Sequence, residues 1–208
     1  MASLRFFVGP VASGKTIDLI ITAHQLQKIQ GVNSVKILKP TIDTRFAANV
    51  VRSAAGLEIK VTHLINPIQD ILSLDYSLAK YVIVDEIQFF TVKQIEQLRE
   101  VSIQHDIEVM CYGLLNDFRL NMFESSKRLL EICDEFRQIT NFCLLCKEHK
   151  NEKISKGTHN LRIKTEGSTF RPVIDGDSVF IGGIDSFIPV CFACYDRCTR
   201  DLRKVLEE

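Results

Sequence analysis

Residues 9–16 read Gly-Pro-Val-Ala-Ser-Gly-Lys-Thr, the complete phosphate-loop pattern G-x-x-x-x-G-K-[ST]. Nothing else in the chain limits its fold as much, because such a loop works only between a buried strand and the first turn of a helix. Both neighbours are legible. Leu4-Arg5-Phe6-Phe7-Val8 is an apolar run fit for a buried strand, and Thr16-Ile17-Asp18-Leu19-Ile20-Ile21 opens an apolar-periodic helix. Gly9 and Gly14 permit backbone conformations that a Cβ forbids. Through them Pro10, Val11, Ala12 and Ser13 can curl their main chain around phosphate oxygens at the positive end of the helix dipole. The pattern assigns Lys15 to the β- and γ-phosphates and the Thr16 hydroxyl to Mg²⁺. An ordinary Gly-rich turn is the competing reading, and the strand-loop-helix setting weighs against it.

Apolar, β-branched runs recur at residues 4–8, 35–38, 81–84, 107–112 and 138–142, with helical periodicity at 15–30, 92–105 and 122–135. Strands alternating with helices predict an α/β fold, a mostly parallel, helix-covered sheet of the P-loop NTPase kind. Residues 41–63 are less regular, with a loop at Asp43-Thr44-Arg45. Beyond residue 143 the texture becomes loop-rich and punctuated by glycine. The expected organisation is an ATP-binding domain over 1–142, a small zinc-binding subdomain over 143–198 and a tail over 199–208.

The 26 basic and 26 acidic residues balance, so no global field favours nucleic acid or membrane as a partner. No apolar run reaches the 18 residues that a membrane span needs, and the N-terminus lacks a basic region followed by a cleavable apolar stretch. A cytoplasmic location is expected. Seven cysteines are then not a disulfide framework. Cys143-Leu144-Leu145-Cys146 and Cys191-Phe192-Ala193-Cys194 are two C-x-x-C knuckles, and four thiolates match a closed, structural tetrahedral Zn²⁺ site. A redox dithiol is the rival for either pair alone. Cys111 and Cys133 read as buried packing residues, and Cys198 as the one plausible decoy ligand.

Tyr81-Val82-Ile83-Val84-Asp85-Glu86 is a buried-strand pattern ending in two carboxylates. Asp85, at the strand end, suits Mg²⁺, and Glu86, one residue on, is free to act as a base or to orient a nucleophile.

Five motifs in order, Gly9–Thr16, Asp43-Thr44-Arg45, Asp85-Glu86-Ile87-Gln88-Phe89-Phe90, Gly113-Leu114 through Asp117-Phe118-Arg119 to Phe123, and the two knuckles, resemble the cytosolic-type (type II) thymidine kinases across residues 4–195. Gly182-Gly183 ahead of Cys191 is similar to that family's approach to its last metal ligands. The resemblance implies transfer of the ATP γ-phosphoryl group to the 5′-hydroxyl of thymidine. Under it Glu86 is the general base, Arg45 neutralises the transferring group alongside Lys15, and Asp43 holds the sugar. Gln88, Phe89, Leu114, Phe118, Phe123, Phe180, Gly182 and Phe187 surround the nucleoside. It further implies a long loop between Cys146 and Cys191 that covers the base and reads it through main-chain groups. A homotetramer and feedback by the triphosphate dTTP are implied as well.

The chain departs from the family pattern at Val11 (usually Met), Leu115 (usually acidic), Leu120-Asn121-Met122 (usually Gly-Glu-Pro) and Phe187 (usually Tyr). Ser178 and Phe180 stand where smaller apolar residues line the methyl side. Thymidine is therefore the expected acceptor, with deoxyuridine and analogues open. Two other classes compete. A zinc-bearing ATPase or nucleic-acid module predicts a basic stripe with aromatics, for which Arg162, Lys164 and Arg171 are few; a nucleotide sensor predicts weakened catalysis.

Overall fold

The computed structural model describes residues 2–146, 154–167, 169–177 and 186–207, residues 203–207 by backbone alone. The elements run β1 (Leu4–Val8), α1 (Lys15–Gln30), β2 (Val35–Pro40), β3 (Val50–Arg52), β4 (Glu58–Lys60), β5 (His63–Ile65), β6 (Tyr81–Val84), α2 (Val92–His105) and β7 (Glu108–Gly113). There follow α3 (Glu124–Ile132), β8 (Glu135–Gln138), β9 (Asn141–Phe142), β10 (Lys156–Gly157), β11 (His159–Glu166), β12 (Thr169–Pro172), β13 (Phe187–Val190) and α4 (Phe192–Glu207).

The main sheet has the order β5-β2-β6-β7-β1-β8, every neighbouring pair parallel. Its central strands are apolar on both faces because helices cover both, as parallel sheets require. The two-residue alternation of β1 divides the core. Phe6 and Val8 join Val82, Val84, Leu98 and Val101 on the α2/α3 face, whereas Phe7 joins Leu19, Ile20, Ile83 and Tyr112 on the α1 face. Phe7 and Tyr112 stack with ring centroids 4.6 Å apart. The β3–β4 hairpin, inside the stretch expected to be irregular, places Val51 and Ile59 on the α1 side of the core.

One expected strand is corrected. Residues 138–142 do not form one strand of the main sheet: β8 ends at Gln138, and Asn141–Phe142 is β9, paired antiparallel with β10; β8 begins at Glu135, the last residue of the predicted helix 122–135, which is really Glu124–Ile132. The Asp134 carboxylate accepts the Leu4 N–H at 2.8 Å and pairs with Arg99, pulling the chain out of helix and into the sheet edge. β8 is exposed and charged, as edge strands are, and so lacks an apolar signature.

A second, smaller core forms around the knuckles. β11 pairs antiparallel with β12 and β13, and Cys143, Cys146 and Cys194 pack with Leu145, Leu161, Ile188, Val190 and Tyr195. α4 carries helix on through the segment expected as the C-terminal tail, to Glu207. Among the described residues no helix is long and apolar enough to cross a membrane.

Candidate active site

The phosphate loop joins β1 to α1 at the end of the sheet where parallel-sheet proteins bind ligands. Its backbone enters the left-handed region at Ala12 (φ 59°) and at Gly14 (φ 91°), the N-cap of α1. Gly9 is required for a different reason: a Cβ there would strike the Ile139 carbonyl oxygen. The Lys15 ammonium donates to the Gly9 and Pro10 carbonyl oxygens, each at 2.8 Å. Burial pushes its pKa down to about 8, against the opposing pull of Glu86 and Asp85.

Two strands away, β6 delivers Asp85 and Glu86. The Asp85 N–H extends the ladder to Leu38 O at 3.0 Å, and Glu86 then turns left-handed (φ 50°) and ends the strand. This conformation turns the Glu86 carboxylate toward Arg45, which pairs with it through Nη2. Arg45 simultaneously grips Asp43, with Nε to Oδ1 at 2.7 Å and Nη2 to Oδ2 at 3.1 Å, and the buried Lys39 Nζ lies 3.6 Å from the same carboxylate. The other Glu86 oxygen accepts from Gln88 Nε2, while Gln88 Oε1 accepts the Leu114 N–H at 3.0 Å. Gly113 must lack a side chain, because a Cβ would meet Gln88 Oε1. A chain of alternating partners, Lys39, Asp43, Arg45, Glu86 and Gln88, thus crosses the site.

The two adjacent acids separate in acidity. Burial, then the neighbouring Glu86 charge, pushes Asp85 up to about 7. Burial also acts to raise Glu86, but Arg45 and Lys15 outweigh it and hold that carboxyl below its ordinary range. A buried carboxyl raised in this way favours binding of a cation, and Asp85 lines the same cavity as Thr16, whose hydroxyl is a second hard oxygen donor.

That cavity, about 670 Å³, is lined by Val11–Thr16 of the loop and by Asp43, Arg45, Asp85, Glu86, Gln88, Phe89, Leu114, Phe118, Phe123 and Phe187. The structure thereby brings together nearly every residue singled out from the sequence; Gly9 and Pro10 shape the loop behind it. Ser178, Phe180, Gly182 and Gly183 lie outside the described residues. Sequence reasoning missed Phe46, Val51, Arg52, Ser53, Asn116 and Asn160, which also line it. Asn116 falls within the Gly113–Phe123 motif without having been singled out, the others belong to no motif, and the irregular texture of residues 41–63 was the available clue for the first four.

Phe118 is 2 % exposed, with the Arg162 guanidinium 5.0 Å from its ring centroid and Phe187 at 6.3 Å. Its carbonyl accepts the Tyr195 hydroxyl at 2.7 Å, a bond reaching from the helix that carries Cys194. The departure Leu120-Asn121-Met122 has a backbone consequence. Leu120 adopts φ 70°, a conformation natural to glycine, and packs on the cysteine core in compensation.

The Sγ atoms of Cys143, Cys146, Cys191 and Cys194 lie within 4.8 Å of one another, with Cys146 and Cys191 at 3.9 Å. Sulfur ligands about 2.3 Å from a tetrahedral Zn²⁺ stand about 3.8 Å apart, so the four fit such an ion. Cys198, the decoy, packs beside this core but is not one of the clustered four, and Cys111 is fully buried in β7 as expected, with Cys133 half-buried.

Comparison with known proteins agrees. The family model described as thymidine kinase matches residues 2–195. The chain is 34% identical to the thymidine kinase of Encephalitozoon cuniculi (strain GB-M1) over 209 residues, covering 98% of this chain and 91% of that one. It is 36% identical to the thymidine kinase of Streptococcus agalactiae serotype Ia over 194 residues, 92% of this chain and 95% of that one. A phosphate loop and a carboxylate pair line one cavity, a four-sulfur cluster stands in the smaller core, and a family model matches residues 2–195, so this chain belongs to the thymidine kinase family.

Proposed function

We propose that the protein transfers the γ-phosphoryl group of ATP to the 5′-hydroxyl of thymidine. The observation that carries this reading is the placement of Glu86, buried at a strand end, held between Arg45 and Gln88, and facing the cavity that the phosphate loop also lines. Its lowered pKa keeps it ionised, the form that can accept a proton.

In the proposed step Glu86 takes the proton of the 5′-hydroxyl as that oxygen forms a bond to the γ-phosphorus. The bond from the γ-phosphorus to the bridging oxygen breaks, and its electron pair leaves with ADP. Lys15 and the loop amides hold the phosphates, and Arg45 balances charge on the transferring group, so that catalysis is chiefly positioning and charge stabilisation. Arg45 would divide its contacts between Asp43, Glu86 and phosphate, which keeps it at the reacting centre throughout. Thr16 and Asp85 would hold Mg²⁺, which neutralises phosphate charge. Asp43 is assigned to the sugar, and Gln88, Phe89, Leu114, Phe118, Phe123 and Phe187 to the nucleoside, with Phe180 and Gly182 on the covering loop. The cysteine cluster would hold a structural Zn²⁺ that fastens that loop. The reading divides the chain into a catalytic domain over 1–142 and the cysteine lobe beyond it. It extends to feedback by dTTP across both substrate sites, a homotetramer and a cytoplasmic location.

The test is ADP release with thymidine, deoxyuridine or single-stranded DNA. Turnover with thymidine above deoxyuridine is expected; stimulation by DNA alone would overturn the reading.

A further inference from the structure

Two main-chain groups at the tip of the phosphate loop are bonded to asparagines far along the chain. Asn160 Oδ1 accepts the Val11 N–H at 2.7 Å across 149 residues of sequence, and Asn141 Nδ2 donates to the Ala12 carbonyl at 2.8 Å across 129. Neither asparagine belongs to any motif that identified the site. Their setting is what gives them meaning. Asn141, in β9, stands two residues before Cys143, and Asn160, in β11, pairs with Pro189, which stands two residues before Cys191. Each knuckle therefore has one asparagine beside it that reaches back to the loop.

The anchorage on the cysteine side is tight. Cys143 N–H bonds to Ser155 O at 2.9 Å and Thr158 N–H to Val190 O at 3.0 Å, so both asparagine-bearing strands are laced to the chain that carries the sulfurs. Leu161, next to Asn160, is fully buried in the cysteine core. On the loop side the bonds fall on Val11 and on Ala12, whose left-handed φ of 59° costs a non-glycine residue free energy that something must offset. Asn160 is itself buried and lines the cavity, whereas Asn141 is partly exposed.

We infer that Asn160, seconded by Asn141, is a positioning residue that locks the tip of the phosphate loop to the cysteine lobe, linking the ATP and nucleoside sites through two side chains. This rests on the phosphoryl-transfer reading above. The cysteine lobe contributes Asn160 and Phe187 to the cavity wall and the loop holds phosphate, so a shift of the first moves Val11 and Ala12 directly. By reciprocity, nucleoside and nucleotide must then alter each other's affinity by the same factor.

The experiment measures Kd for a non-hydrolysable ATP analogue with Mg²⁺, with and without saturating thymidine, by calorimetry on the intact protein. Wild type, Asn160→Ala, Asn141→Ala and the double variant are compared, with thermal melting as a check on folding. In wild type, thymidine is expected to tighten analogue binding severalfold. Asn160→Ala is expected to raise the analogue's Kd about fivefold, the effect of one main-chain hydrogen bond. Asn141→Ala gives a smaller shift in the same direction, and the coupling factor in the double variant falls to one. If Asn160→Ala does not fold, the partly exposed Asn141→Ala must still reduce the factor. An unaltered coupling factor in the folded variants, or a wild-type factor of one, overturns the inference. Thymidine phosphorylation by wild type is assayed alongside, so that its absence would count against the functional reading and not against the clamp.

Discussion

One side of the cavity is delivered from the ends of two main-sheet strands: Lys15 and Thr16 at the start of α1, which follows β1, and Asp85 and Glu86 just past the end of β6. The other side is gathered from Phe118, Phe123, Asn160 and Phe187 on separate loops and strands; Asn160 and Phe187 adjoin Leu161 and Ile188 of the cysteine core, and Phe118 is bonded to its Tyr195. On the first side charges are buried and crosslinked among themselves; on the second, apolar rings are held by single hydrogen bonds such as that from Tyr195 to Phe118. The contrast implies that the phosphate half can be perturbed chemically while its shape survives, whereas the nucleoside half is lost as a unit once its fastening is cut.

The strongest way to break this contrast is to cut the fastening. Cys194→Ser, or chelation, is expected to weaken thymidine binding by about a hundredfold or more, near 3 kcal/mol, because the lobe loses its crosslink. Binding of an ATP analogue should weaken by less than about tenfold. Equal losses at both sites, measured by calorimetry, would erase the distinction.

A charge test of the phosphate half comes next in size. With no nucleotide or metal bound, the folded pKa of Asp85 lies near 7, above the ordinary 3.8. Its contribution to stability is therefore full below pH 3.8 and lost as pH rises through about 7, where the folded chain must ionise a buried carboxyl. Asp85→Asn should thus stabilise the nucleotide-free protein at about pH 8 by roughly 1–4 kcal/mol, a gain that fades toward pH 4. Chemical denaturation at the two pH values checks the sign.

Tyr195→Phe sharpens the comparison on the nucleoside side. It removes only the hydroxyl that holds the Phe118 carbonyl, for about 1 kcal/mol, and should raise KM for thymidine severalfold while KM for ATP holds. The smallest effect is expected at Leu120→Gly, where relief of a left-handed backbone offsets lost packing and leaves a change within about 1 kcal/mol. The same change at the fully buried Leu161 should cost about 3 kcal/mol or more in the same denaturation assay.

The two halves also differed in how far their residues disclosed them. Strand β1, the loop and helix α1 form one contiguous pattern in which every residue type has a local physical reason, and β6 ends in its carboxylates without interruption. The cysteine pairs were equally plain because ligand spacing is chemistry. What escaped detection is non-local. Asn160 is an unremarkable polar residue until Val11 lies beside it, and the leucine at 120 hides a left-handed backbone that it disfavours, the clue being the glycine usual to the family at that position. β8 was displaced by several residues because an exposed edge strand carries charge instead of an apolar alternation, and Asp134 sets its start through a bond to Leu4.

Glu86 stands where the halves meet, and one measurement bears on it most directly: single-turnover phosphorylation of thymidine by Glu86→Gln, with the Kd of thymidine and of an ATP analogue measured on the same preparation. Glutamine keeps the size and can still bond Gln88, but cannot accept the proton. The account predicts a fall in the transfer rate of about 10²–10⁴-fold with both Kd values within about tenfold of wild type. A transfer rate near that of wild type in the folded variant would contradict it.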